Sequence, residues 1–344
     1  MVYVKSDKTP SPLAYLVFLF LTATLVIAWF PILYGSHMPD TELHAENRST
    51  TTFDQGDLFQ FLSTHQGLAD RMTGEVEYSI SPPLPADHNV LWARMFGSKN
   101  DSEVATSLVQ CQDGGYALAG YWTSHIDGDT DFLLIRTDGE GNQLWNQTYS
   151  RVSNAWAESL VECQGGGFAL AGDTYNSTTI RDEGWLVRTD ADGNHLWNFT
   201  YSGDDDDSFR SLTECSDGGF AMTGITRSYG AGGLDIWVVR TDASGGVLWN
   251  QSFGTTGNEW GESIIEVSSG GFAVAGYDDD SALFLRLDEN GNYLWNHTFG
   301  VSGADEYESV VECSDKGFAL TGMKDFKILL VRTNETGDIQ WYRT

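Results

Sequence analysis

A tryptophan that returns at near-constant spacing from residue 92 to the C-terminus decides what this chain can fold into. Trp92, Trp145, Trp197, Trp249, Trp295 and Trp341 are 53, 52, 52, 46 and 46 residues apart. A period of about 50 residues marks a repeated unit that cannot bury its own faces and is stable only against its neighbours. One full unit reads Trp145-Asn-Gln-Thr-Tyr, then Ser159-Leu-Val-Glu-Cys163, Gly166-Gly-Phe-Ala-Leu-Ala-Gly172 and Trp185-Leu-Val-Arg-Thr-Asp190, with Gly193-Asn194 before Trp197. Four short apolar runs, here strands d, a, b and c, are separated by turn signals.

The turns say how these strands pair. Between a and b lie Asp113-Gly-Gly, Gly165-Gly-Gly, Asp217-Gly-Gly, Ser269-Gly-Gly and Asp315-Lys-Gly, where glycine supplies the positive φ of tight hairpins. Between c and d lie Asp138-Gly-Glu-Gly-Asn and its counterparts at Asp190, Asp242, Asp288 and Asn334. The leading Asp or Asn can cap its own turn, and the glycine closes it. The expectation is an all-β chain: a β-propeller of four-stranded blades spanning 89–344. Five a-b-c sets but six d-type strands give five blades, or six with a partial N-terminal blade in which Trp92 joins Glu75–Ile80.

These repeats resemble those of secreted archaeal and bacterial propeller proteins with units of the form Trp-x-x-Thr-Tyr-Gly, Asp-Gly-Gly-Tyr and Thr-Asp-x-x-Gly-Asn-x-x-Trp. The likeness covers residues 92 to 344. The turn and tryptophan at Asp190, Gly193 and Trp197 also resemble the docking motif of quinoprotein-type propellers, with one residue fewer between Asp and Gly. That likeness implies indoles packed between neighbouring blades, so the six repeated tryptophans are expected to be structural. It implies a location outside the cell and no particular chemistry.

The N-terminal part is of another kind. Leu13 to Tyr34 is 22 residues without a charge, about 33 Å as a helix and enough for one membrane crossing. A cleaved signal peptide is the competing reading, but its apolar core is shorter and ends at a small-x-small site. Lys5 and Lys8 precede the run, so residues 1–12 are expected in the cytoplasm, 13–34 as a signal anchor and the remainder outside as a single-pass cell-membrane glycoprotein. Residues 35–88, rich in Ser, Thr, Asp and His and ending in Pro82-Pro83-Leu84-Pro85, read as a stalk. Within it Asp57–Met72 has a short helical pattern and Glu75–Ile80 a strand pattern. Eight Asn-x-Ser/Thr sequons, at Asn47, Asn100, Asn146, Asn176, Asn198, Asn250, Asn296 and Asn334, point to N-glycosylation.

With 49 acidic against 19 basic side chains and a net charge of −30, nucleic acid is excluded as a partner. The expected partners are the membrane, through the N-terminal helix, and a cell-envelope protein or glycan. Loop length points to a binding face. From each Trp to the next strand-a Ser the distance stays at 14 or 15 residues, whereas the b–c loop absorbs the whole change of period. The variable side carries Trp156, Phe209, Trp260 and Tyr307 with Asp207, Glu259 and Asp305. Aromatic rings beside carboxylates suit sugar stacking or cation capture, and packing between blades is the plainer role for the same rings.

Other groups read as structural. Arg136, Arg188, Arg240, Arg286 and Arg332 recur in every unit and Glu162, Glu214, Glu266 and Glu312 in four of the five, which suggests ion pairs between blades. Ser107, Ser159, Ser211, Ser263 and Ser309 recur with no histidine beside them to activate a nucleophile. Cys111, Cys163, Cys215 and Cys313 share a slot with Val267, as small buried hydrophobes do, although a bridge such as Cys163–Cys215 stays open outside the cell. Asp127-x-Asp129-x-Asp131 begins like a calcium loop but has Phe132 where glycine is needed. No catalytic residue, resident metal or cofactor is expected, with calcium left open, because no blade shows unique polar residues aimed at the axis. The expected role is a non-catalytic binding or scaffolding module at the cell surface; the alternatives are a calcium-dependent glycan-binding adhesin and a quinoprotein-like or glycan-processing enzyme.

Overall fold

Every repeat becomes one four-stranded antiparallel sheet. A computed structural model describes residues 92–151, 153–300 and 305–344; the membrane span, the stalk, Asn47 and the helix and strand expected before residue 81 lie outside the described residues. The first sheet is β1 (Ser102–Gln110), β2 (Tyr116–Thr123), β3 (Thr130–Thr137) and β4 (Gln143–Tyr149). The second is β5 (Ala155–Glu162), β6 (Phe168–Asn176), β7 (Arg181–Thr189) and β8 (His195–Tyr201). The third is β9 (Asp207–Glu214), β10 (Phe220–Thr226), β11 (Asp235–Thr241) and β12 (Val247–Phe253). The fourth is β13 (Glu259–Glu266), β14 (Phe272–Asp278), β15 (Ala282–Leu287) and β16 (Tyr293–Phe299). The fifth is β17 (Glu306–Glu312), β18 (Phe318–Lys324), β19 (Lys327–Thr333) and β20 (Ile339–Arg343). Each is a simple meander in the order a-b-c-d, as five propeller blades require. All five belong to the unit Phe96–Thr344, while residues 92–95 fall in a separate unit.

Sheets stack because their two faces carry different side chains. At the first interface Ala117, Phe132 and Leu134 meet Phe168, Leu170, Trp185 and Val187 of the second sheet. The same positions build the next three interfaces. At three of the four, the d-strand indole adds an edge contact to the following sheet: Trp145 on Phe168 at 6.0 Å, Trp197 on Phe220 at 6.0 Å and Trp249 on Phe272 at 5.7 Å. Trp145, Trp197, Trp249 and Trp295 are half-buried and Trp341 is exposed. Among the described residues the fully enclosed indoles are instead Trp185 and Trp237, from strand c.

Polar links repeat with the same period. Ser107 Oγ accepts from Leu160 N at 3.1 Å, Ser159 from Leu212 N at 3.1 Å, Ser211 from Ile264 N at 3.2 Å and Ser263 from Val310 N at 3.3 Å. The strand-a glutamates reach back to a backbone N–H of the preceding sheet: Glu162 to Gln112, Glu214 to Gln164, Glu266 to Ser216 and Glu312 to Ser268.

The arginines correct the expected pairing. Arg136 and Arg240 turn back on their own blade, to Asp113 and Asp217 at 2.5 Å, and Arg332 meets Asp315 in the same way. Arg188 and Arg286 bond the carbonyls of Gly166 and Gly270. Arginine therefore ties the a–b turn to strand c within a sheet, and glutamate joins one sheet to the next. The c–d turns are as expected, with Asp190 Oδ1 accepting from the N–H groups of Asp192 and Asn194. All four cysteines are free, three of them buried, and burial raises the thiol of Cys111 to about 11 and those of Cys163 and Cys215 to about 12.

Candidate functional site

Strand b carries a glycine opposite the middle of every strand a, and that glycine shapes the inner surface. A Cβ on Gly172 would lie 1.9 Å from the Trp156 carbonyl oxygen, and one on Gly276 equally close to that of Trp260. Close approach there forces a register shift in strand a, between Ala157 and Ser159 and between Gly261 and Ser263, with equivalents in the other three blades. Such a bulge leaves one residue unpaired and re-aims its side chain. The residues so released are Thr106, Glu158, Arg210, Glu262 and Glu308.

These side chains converge. Arg210 Nη1 lies 3.5 Å from Glu158 Oε1 in the neighbouring blade. Glu262 feels the charge of Arg210 and also that of Glu158, two blades away. Glu306, Tyr277 and Asp173 complete the lining, and Trp260 stacks on Tyr277 at 4.8 Å and 17°. Carboxylates outnumber the single guanidinium, so the lumen bounded by the inner strands is acidic.

Burial sets its protonation. Removal from water raises Asp173 to about 7, with Asp182 adding to the rise and Arg210 opposing it. Glu308 is pushed to about 7 by burial and then by Glu262 and by Glu306, to which it is hydrogen-bonded. Glu158 and Glu262 are raised by burial against the pull of Arg210. For Arg210 burial opposes the charge, but Glu262, Glu158 and Asp173 outweigh it and hold the guanidinium above its ordinary value. Strongly perturbed titratable groups gathered in one cavity are a mark of functional sites. The expectation that no blade carries unique polar residues at the axis therefore fails, because Arg210 stands where other blades have Glu or Thr.

The residues expected on the variable face are placed differently from one another. Phe209 is fully buried, stacked on Trp237 at 4.9 Å, and Tyr307 is buried against Phe299. Trp156 and Trp260 are half-buried. Asp207 accepts from Gly203 N, Thr226 Oγ1 and Ser228 Oγ; Glu259 accepts from Thr255; Asp305 holds Lys324 Nζ at 3.0 Å. Those three carboxylates are all at least nine-tenths buried and close their own corners. Among the sequons, Asn100, Asn146, Asn198, Asn250 and Asn296 are exposed, and Asn176 and Asn334 half-buried. Among the described residues no group of three or more His, Cys, Asp or Glu is arranged to hold a metal ion, and no helix is long and apolar enough to cross a membrane.

No protein-family model matches the chain. Regulatory protein FlaEY of Caulobacter vibrioides is 24% identical over 186 residues, 47% of this chain. The chain spans 19% of that protein's length. Among solved structures, Sqt1 from Chaetomium thermophilum overlaps 71% of this chain and 62% of its own with a TM-score of 0.45 and 15% identity. A luciferin-regenerating enzyme covers 69% of this chain and 76% of its own at a TM-score of 0.40 and 10% identity. A glucose dehydrogenase covers 65% and 79% at 0.39 and 12%. The blade architecture rests on the strand pairing itself.

Proposed function

We propose that this chain is a non-catalytic binding module whose ligand enters the lumen between the inner strands, where a cationic group is held by Glu158, Glu262 and Glu308. The bulge ring carries this reading: its members differ from blade to blade while the serine beside each is constant, and one Arg is set among several carboxylates. Recognition needs such asymmetry, whereas a purely architectural position repeats. Burial holds the Glu308 carboxyl up at about 7, so a bound ammonium or guanidinium draws its proton off and affinity rises as pH is raised through that value. Arg210 then selects for a ligand that also bears an anionic or hydrogen-bond-accepting group near the cation. The module is further proposed to stand outside the cell on the Leu13–Tyr34 anchor as a glycoprotein, supported by the uncharged run and the eight sequons.

The test is thermal stabilisation of the full chain by spermidine, arginine, glucosamine and calcium at pH 6 and pH 8. An organic amine should raise the melting temperature more at pH 8 than at pH 6, and Glu308→Gln should shrink the difference. Stabilisation by calcium alone would favour the adhesin reading, and equal stabilisation of wild type and Glu262→Gln would refute the lumen as the site.

A further inference from the structure

The b–c corners of all five blades lie at one end of the stack, because every sheet runs a-b-c-d and equivalent strand-a residues link each sheet to the next. Three of these corners lift a large apolar side chain almost clear of the fold. Ile126 is 84% exposed in the first blade, Ile180 74% in the second and Phe326 85% in the fifth. Tyr229 in the third is exposed to a lesser degree, and the fourth corner is Asp279-Asp280-Ser281.

The three tips are held in place by their own corners. In the first blade Ile126 N donates to Ser124 Oγ at 3.2 Å and His125 N to Asp101 Oδ1 at 3.0 Å. In the second Ile180 N donates to the Asn176 carbonyl at 2.7 Å, while Asn176 Oδ1 accepts from Thr178 N and Thr179 N. In the fifth Asp305 accepts from Asp325 N at 3.3 Å and from Lys324 Nζ at 3.0 Å.

Two of the tips are also strained. Ile180 has a φ of 59° and Phe326 a φ of 60°, in the left-handed region that is an outlier for a β-branched or bulky residue. Glycine or asparagine would take either position at lower cost. The turn therefore does not call for these side chains, and at such exposure the core does not either. Strain kept at a surface position points to a use for the side chain itself.

The surroundings select the partner. Asp127 and Asp129 flank Ile126, Asp204 and Asp205 stand exposed in the d–a corner beside the second blade, and Asp279 and Asp280 fill the fourth b–c corner. An anionic lipid surface would repel these carboxylates. Sugars stack on aromatic rings, whereas two of the three tips are isoleucine. Apolar anchors fixed in one conformation lose little entropy on entering protein pockets, and carboxylates around them steer a basic surface into register.

We propose that this end of the stack is a docking surface for a protein partner, with Ile126, Ile180 and Phe326 as anchors entering apolar pockets that lie within a basic rim. It is separate from the lumen, and the buried Phe209 and Tyr307 take no part in it.

The test uses the full chain in its host cell, with photoreactive benzoylphenylalanine placed in turn at Ile126, Ile180 and Phe326, and at Ala191 in a c–d turn at the opposite end. The three tips should capture one and the same protein, and Ala191 should not. That protein, purified, should bind the wild-type chain with an affinity that falls as salt rises. Ile180→Asn should weaken binding about tenfold or more while raising the melting temperature by about 2–4 °C, since asparagine tolerates the left-handed conformation. Phe326→Gly should act in the same way. Different proteins from different tips, no adduct from any tip, or binding indifferent to both substitutions would overturn the proposal. Flotation with phosphatidylcholine vesicles that Ile180→Asn abolishes would overturn it in favour of a membrane surface.

Discussion

Trp185 and Trp237 occupy the same strand-c position in adjacent blades, and both are fully enclosed, yet only one has its indole N–H satisfied. Trp185 Nε1 donates to Asn198 Oδ1 at 3.1 Å, whereas Trp237 Nε1 is buried with no hydrogen-bond partner among the described residues. Replacing either by Phe removes about 40 Å³, a loss of about 1 kcal/mol from the cavity and about 1 more from transfer. At Trp185 the broken hydrogen bond adds about 1 kcal/mol, for a total near 3. At Trp237 the substitution removes an unpaired donor whose burial costs about 1–3 kcal/mol, so the net loss should fall to about 1 or less. Guanidinium unfolding of the full chain, with equal m-values confirming comparable unfolding, reads the difference directly. Trp185→Phe should be the less stable by about 2 kcal/mol, or roughly 4–8 °C in melting temperature for a domain of this size. Equal losses at the two positions would refute the reasoning, because the indole N–H of Trp237 would then not be an unpaired buried donor.

Stability should fall as pH rises from about 4 to about 7, since Asp173 and Glu308 have ordinary values of 3.8 and 4.5 and folded values of about 7 and so bind protons more tightly folded than unfolded, and Asp173→Asn should flatten the melting-temperature slope; an unchanged slope contradicts the assignment. Trp197→Ala should cost about 2–3 kcal/mol, below the range for a fully buried indole, because Trp197 is half-buried; denaturant titration decides. Replacing Asn146, Asn198, Asn250 and Asn296 by Gln should leave circular dichroism unchanged but increase self-association of protein from a glycosylating host, since each sits on an outermost strand beside an exposed Leu144, Leu196, Leu248 or Leu294; peptide mass spectrometry finding all four bare would remove the idea. Intact-mass measurement should find the N-terminus ahead of Leu13, and a mature chain beginning near Gly35 would rule out the anchor.

The blades were legible because period, turn glycines and capping aspartates are all local signals. Trp145-Asn-Gln-Thr-Tyr and Gly166-Gly-Phe each report on their own strand or hairpin. Partner choice was less so: a repeated Arg188 beside a repeated Glu214 invites an ion pair, and only the register shows that one faces its own turn and the other a neighbour's backbone. The lumen was missed because its members share no residue type. Thr106, Glu158, Arg210, Glu262 and Glu308 look like noise ahead of a constant serine, yet a signal was present. A glycine inside an otherwise apolar strand, as at Gly172 and Gly276, marks a close backbone approach and hence a bulge on its partner. Reading that glycine as the end of strand b concealed it.

Two blades of this chain reach the same architecture by different lengths of chain, and the b–c corner alone accommodates the difference. Between β10 and β11 the path runs from Thr226 to Asp235, and between β18 and β19 only from Lys324 to Lys327. Neither the serine links nor the glutamate links pass through that corner. It can therefore lengthen, shorten or accept a foreign segment while the interfaces stay in register. For lineage and engineer alike, the corner is the place where new surface can be written without revising the frame.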